Sequence, residues 1–147
     1  MYLHQEISKS ERKKLVKNIE KHLKNYNNYK VAILNLNKQL EFISSKESKE
    51  QIFAGDINAR GIIIHPQTSI DRLSYELQQI ELIKESIDVS MSELTEVERQ
   101  FVTYRYFKNW SIEKSAMEIG YSDKALFVIR NQVMDKLLIS LGSVILM

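Results

Sequence analysis

The sequence predicts an all-α protein, and three observations predict it. Glycine and proline are scarce, four and one in 147 residues, so few positions punctuate the chain. Apolar residues recur at spacings of three and four instead of two. Twice a threonine stands three residues before an acid, Thr68 with Asp71 and Thr95 with Glu98, as in a capping box at a helix start. The expected order is a basic N-terminal helical region with a connector (1–67), a linking or coiled-coil helix (68–94) and a three-helix module (95–147).

In the first region Leu15, Val16, Ile19 and Leu23 form one stripe of an amphipathic helix from Ser8 to Lys24. Asn25, Asn27 and Asn28 interrupt it, and a second short helix follows through Ile33, Leu36, Leu40 and Ile43, antiparallel to the first in the simplest reading. Residues 44–67 lose the helical period and hold Gly55, Gly61 and Pro66, which reads as a connector. Its Ile62, Ile63 and Ile64 are either a short strand or a loop anchored on the helices.

A helix should begin at Thr68. Along it Ile70, Leu73, Leu77, Ile80, Ile87, Met91 and Leu94 alternate at three and four, with Lys84 in the one polar position. The pattern fits packing inside the chain or a seam between two chains.

The third region carries most of the information. Thr95 caps a helix running to about Phe107, with Val97, Phe101, Tyr104 and Phe107 on its buried face and Trp110 as an apolar wedge after it. Ser111 caps a second helix, Ile112 to Glu118, in which small Ala116 permits close approach. Gly120 supplies a left-handed turn and Ser122 caps the third helix, Asp123 to about Leu138. That last helix buries Leu126, Ile129, Val133 and Leu137. It presents Lys124, Phe127, Val128 and Asn131 on the other face, with Arg130 at the border and Ala125 beside them.

Helix, short turn and helix is the arrangement that lays a helix in the major groove of duplex DNA. There Asn pairs with adenine, Lys and Arg with guanine or phosphate, and apolar side chains with the thymine methyl. Charge adds a second candidate surface. Residues 1–30 hold eight Lys/Arg against three acids (+5), residues 31–90 six against nine (−3), and the remainder balances at seven against seven. Lys13, Lys14 and Lys17 on the basic helix are therefore expected to touch phosphates without sequence preference.

The segment TEVERQFVTYRYFKNWSIEKSAMEIGYSDKALFVIRNQVMDKL (95–137) resembles region 4 of bacterial sigma factors. It is more closely similar to phage late transcription regulators of the ArpU/RinA type. Arg105-Tyr106-Phe107, Ile119-Gly120-Tyr121-Ser122 and the helix from Leu126 through Arg130 to Leu137 carry the likeness, which extends more weakly through 66–72. The resemblance implies a sigma-like helix-turn-helix and a transcription regulator that activates phage late genes, with RNA polymerase as a further partner.

Other functions have less in their favour. Cysteine is absent, which removes disulfides and thiolate metal sites. His4, His22 and His65 lie far apart and form no HExxH, and neither a GxxxxGKS/T loop nor GxGxxG occurs, so no enzyme and no cofactor is expected. No stretch reaches the roughly 18 apolar residues of a membrane span, and the first residues lack the apolar run of a signal peptide, so a cytoplasmic protein is expected, and a regulator of this kind would be a monomer or homodimer. Two alternatives remain. One is a small terminase subunit in a ring-like packaging assembly, and the other is an adaptor that binds the transcription machinery through Phe127 and Val128.

Overall fold

A computed structural model of the chain describes residues 7–50, 66–142 and 144. These residues are helical almost throughout: α1 (Lys9–Lys24), α2 (Tyr26–Glu50), α3 (Pro66–Ser92), α4 (Glu96–Val102) with a π-helical turn at Thr103–Phe107, α5 (Ile112–Ile119) and α6 (Asp123–Ser140). The chain is all-α in its described part, and the helices divide between two compact units. One comprises residues 1–27 and 83–147, the other residues 28–82. The basic helix α1 thus belongs with the C-terminal helices, from which more than 50 residues of sequence separate it.

Within the larger unit, α1 buries the stripe read from its sequence, Leu15, Val16, Ile19 and Leu23, and Ser8 caps it by accepting from the Glu11 N–H. Opposite are Phe101, Val102 and Tyr106 from α4 and its π turn, and Leu126, Val133, Met134 and Leu137 from α6, all buried. Each such side chain contributes about 1.5–3 kcal/mol by leaving water. Polar ties fix the arrangement. Tyr106 donates to Glu20 Oε2 at 2.7 Å, and Arg130 Nη2 reaches Glu20 Oε1 at 3.2 Å, so one carboxylate joins α1, the π turn and α6. Tyr26 stacks on Phe107 with ring centres 4.4 Å apart and hydrogen-bonds Asp88, which also holds Lys84 at 2.8 Å.

Thr95 forms the capping box expected of it: its Oγ1 accepts from the Glu98 N–H at 3.3 Å, and Glu98 Oε1 accepts from the Thr95 N–H at 2.8 Å. The same Glu98 oxygen takes a hydrogen bond from Lys136 at 2.6 Å, which ties the cap of α4 to α6. Burial pushes the Glu98 carboxyl up, but the bonds from Lys136 and Thr95 outweigh it and hold the group below the usual carboxylate range.

Several expectations need correction. Phe101 and Tyr106, five residues apart, are both buried, whereas Tyr104 is only half-buried. The π turn explains this: the Lys108 N–H bonds the Thr103 carbonyl five residues back at 2.8 Å, and the wider turn brings residues five apart to one side. Tyr104 stacks instead on Trp110, at 4.9 Å and 6°.

The second helix is not short. It restarts at Tyr26, interrupted by Asn25 alone, and runs 25 residues through the polar SSKESKE segment to Glu50. Ser, Lys and Glu lack an apolar stripe, yet Lys and Glu favour helix. The third helix begins at Pro66, two residues before Thr68, because proline's fixed φ and missing N–H suit the first helical position. Gly55, Gly61 and the isoleucine triplet lie outside the described residues. Along α3, Ile87 is buried and Ile70, Leu73, Leu77, Ile80 and Met91 are half-buried within the single chain, while Leu94, past the end of the helix, is buried.

Candidate nucleic-acid interface

Local chemistry builds the turn between α5 and α6 as the sequence predicts. Ser111 caps α5 by accepting from the Lys114 N–H at 3.1 Å. Gly120 takes the left-handed conformation (φ 89°), and both its N–H and that of Tyr121 bond the Ala116 carbonyl, at 2.8 and 3.0 Å. Ser122 then caps α6 through the Ala125 N–H at 3.1 Å. Ala116 is buried where α5 nears its neighbours.

On α6 the inner residues Leu126, Ile129, Val133 and Leu137 are buried, joined by Met134 and Leu138. Lys124 and Asn131 are exposed, as are Phe127 (52%) and Val128 (54%), two large apolar groups left facing solvent. Ala125 is half-buried at the flank, and so is Arg130.

Beside this face runs a groove of about 350 Å³, with Lys9, Arg12, Lys13 and Lys17 of α1 on one side and Arg130 and Asn131 of α6 on the other. Two ion pairs hold its walls together: Arg12 with Asp135 at 2.7 Å and Arg130 with Glu20 at 3.2 Å. Both arginines are thus matched by carboxylates. Among the described residues Lys9, Lys13 and Lys17 have no carboxylate within ion-pair distance, and their four-residue spacing puts all three ammonium groups on one edge of α1. Lys14 is exposed but turned away from the groove lining.

The groove thus brings together part of the basic set of α1 and part of the outward set of α6. Lys13, Lys17, Arg130 and Asn131 line the groove itself; Lys124, Phe127 and Val128 lie on α6 outside its lining. Sequence reasoning passes over Lys9 and Arg12 as site residues, although the i, i+4 spacing of Lys9 with Lys13 is there to read. The pairing of Arg130 with Glu20, 110 positions away, leaves no local signal.

Chemically the surface offers mobile ammonium groups for anions, an amide able to donate and accept at once, and an apolar pair. Among the described residues no cluster of three or more His, Asp or Glu could hold a metal ion, and no helix is long and apolar enough to cross a membrane. Comparison with protein-family models, with curated proteins and with solved structures finds no match to this chain.

Proposed function

We propose that the chain is a sequence-specific duplex-DNA-binding transcription regulator. In this reading α4, α5 and α6 form a helix-turn-helix of the sigma region 4 kind that enters the major groove through α6. One observation carries it: the lysine edge of α1 meets Arg130 and Asn131 of α6 in a single groove, while Lys124, Phe127 and Val128 stand exposed on α6 outside its lining. Asn131 reads a base edge, Phe127 and Val128 make apolar contact with thymine methyls, and Lys124, Lys13 and Lys17 hold phosphates. Arg130, bound to Glu20, sets the spacing of α6 from α1. In this reading, which the resemblance of residues 95–137 to phage late regulators of the ArpU/RinA type supports, the regulator activates late genes with RNA polymerase as partner. No catalytic step, metal or cofactor enters this reading.

Selection from a pool of random duplexes tests it. The chain should enrich a defined site, and Asn131→Ala should lose about 1–3 kcal/mol of discrimination at one base position of that site. A pool that stays random after repeated selection at moderate salt would remove sequence-specific recognition from the account.

A further inference from the structure

The π turn that moves Tyr104 out of the core also borders a second hollow. Its volume is about 480 Å³, within the range of small-ligand sites, and it lies wholly in the larger unit without sharing a residue with the α1–α6 groove. Tyr104 lines it. Trp110, stacked on that ring at 4.9 Å and 6°, does not, so the hollow meets the part of the Tyr104 ring that Trp110 leaves uncovered.

The backbone holds this aromatic pair in place. The Trp110 N–H donates to the Tyr104 carbonyl at 2.9 Å, and Arg105 Nη1 donates to the Trp110 carbonyl at 3.1 Å. Asn109, just before Trp110, takes a left-handed conformation (φ 57°) that residues other than glycine seldom adopt. A π turn followed at once by such a residue costs conformational energy, and features of this kind gather at ligand sites.

Positive charge surrounds the pair. Lys108 Nζ lies 5.2 Å from the Tyr104 ring centre and 4.9 Å from that of Trp110, and Lys114 Nζ lies 4.2 Å from Trp110. Lys108 and Arg99 both line the hollow, and among the described residues neither has a carboxylate within ion-pair distance. Arg99 Nη1 donates to the Leu94 carbonyl at 2.7 Å, which leaves the other N–H groups of the guanidinium for a ligand. Gln100, whose amide donates and accepts, and Glu96, which accepts, belong to the same lining.

We propose that the hollow binds a nucleotide whose base is unpaired. The base stacks on Tyr104, the phosphate lies at Lys108 and Arg99, and Gln100 and Glu96 meet the ring nitrogens and exocyclic groups of the base edge. An aromatic face alone would accept any flat apolar group, and cations alone any anion; the two together, beside a donor and an acceptor, match a nucleotide. A base inside a duplex is stacked on both faces and does not reach such a site. The ligand is therefore a free nucleotide or a nucleotide of a single strand.

Trp110 is the only tryptophan of the chain and reports on the stack. Titrated into the full chain with no duplex present, adenosine monophosphate (AMP) should change its fluorescence saturably, with a Kd of about 0.1–1 mM. Inorganic phosphate, charge without a base, should bind at least about tenfold more weakly. A short single strand of deoxyadenylate distinguishes the sources: tighter binding than AMP names a strand, weaker binding a free nucleotide. Saturation-transfer NMR of the AMP ring protons reads the variants. Tyr104→Ala should weaken binding about 5- to 150-fold, Tyr104→Phe should recover most of that loss, and Lys108→Gln should weaken it about two- to fivefold. Because no duplex enters, the result is independent of the DNA reading. No saturable response to either AMP or the strand up to about 5 mM, equal binding of AMP and phosphate, or a folded Tyr104→Ala chain that binds AMP like the parent would each overturn the proposal.

Discussion

Ser115 sits fully buried in α5 with an Oγ that finds no hydrogen-bond partner among the described residues. A buried hydroxyl without a partner keeps its desolvation cost and gains nothing in return. Ser115→Ala should therefore raise unfolding free energy by about 1 kcal/mol, read as a higher urea midpoint at unchanged slope; a lower midpoint would show that the hydroxyl is satisfied after all. Glu98 is the opposite case, since its buried carboxylate is shared by Thr95 and Lys136. Glu98→Gln should cost about 1–3 kcal/mol at neutral pH. Because the folded-state pKa is held below the ordinary 4.5, the stability from ionised Glu98 is present above that value and is lost as pH falls through the folded pKa. Urea melts of parent and Glu98→Gln should accordingly converge below about pH 4.5, and a constant gap between them would show that ionisation is not what the site rewards.

At the scale of elements, the α5–α6 turn depends on the backbone of one residue. A Cβ on Gly120 would meet nothing within 4 Å, so replacing it costs only the left-handed conformation itself. Gly120→Ala should destabilise by about 1 kcal/mol and Gly120→Asn by less, because Asn tolerates that conformation; equal losses in thermal melts would point to a packing effect instead. Such local features are what the sequence makes legible. The caps at Thr95, Ser111 and Ser122, the turn at Gly120 and the buried stripes of α1 and α6 all follow from residues within a few positions of one another. The π turn is hidden because a five-residue spacing of Phe101 and Tyr106 does not fit an α-helical template. As for the interface, its individual residues are readable, but the placement of α1 against α6 is not, since it rests on pairs such as Glu20 with Arg130 that only tertiary structure brings together.

Across the larger unit, joining α1 to the C-terminal helices brings a charge pattern and a helix-face pattern together at one groove. If that surface follows a phosphate backbone, salt dependence should separate the lysines by position. Replacing Lys13 and Lys17 together by Ala should flatten the slope of log affinity against log salt by about 0.9 for each phosphate no longer neutralised, on selected and random duplexes alike. Lys14→Ala, outside the groove lining, should change the slope much less; an equal effect from Lys14 would mean diffuse charge, not the groove, governs binding.

The same long-range joining has a consequence in time. The partners of α1 lie 86 and 110 positions downstream, as measured from Glu20 to Tyr106 and to Arg130. A ribosome adding about 5–20 residues per second needs roughly 5–20 s to make that intervening chain. Throughout that interval Leu15, Val16, Ile19 and Leu23 have been made but the surface that buries them has not. A nascent chain released before α6 is complete would carry this stripe without the surface that buries it and display it to chaperones and proteases.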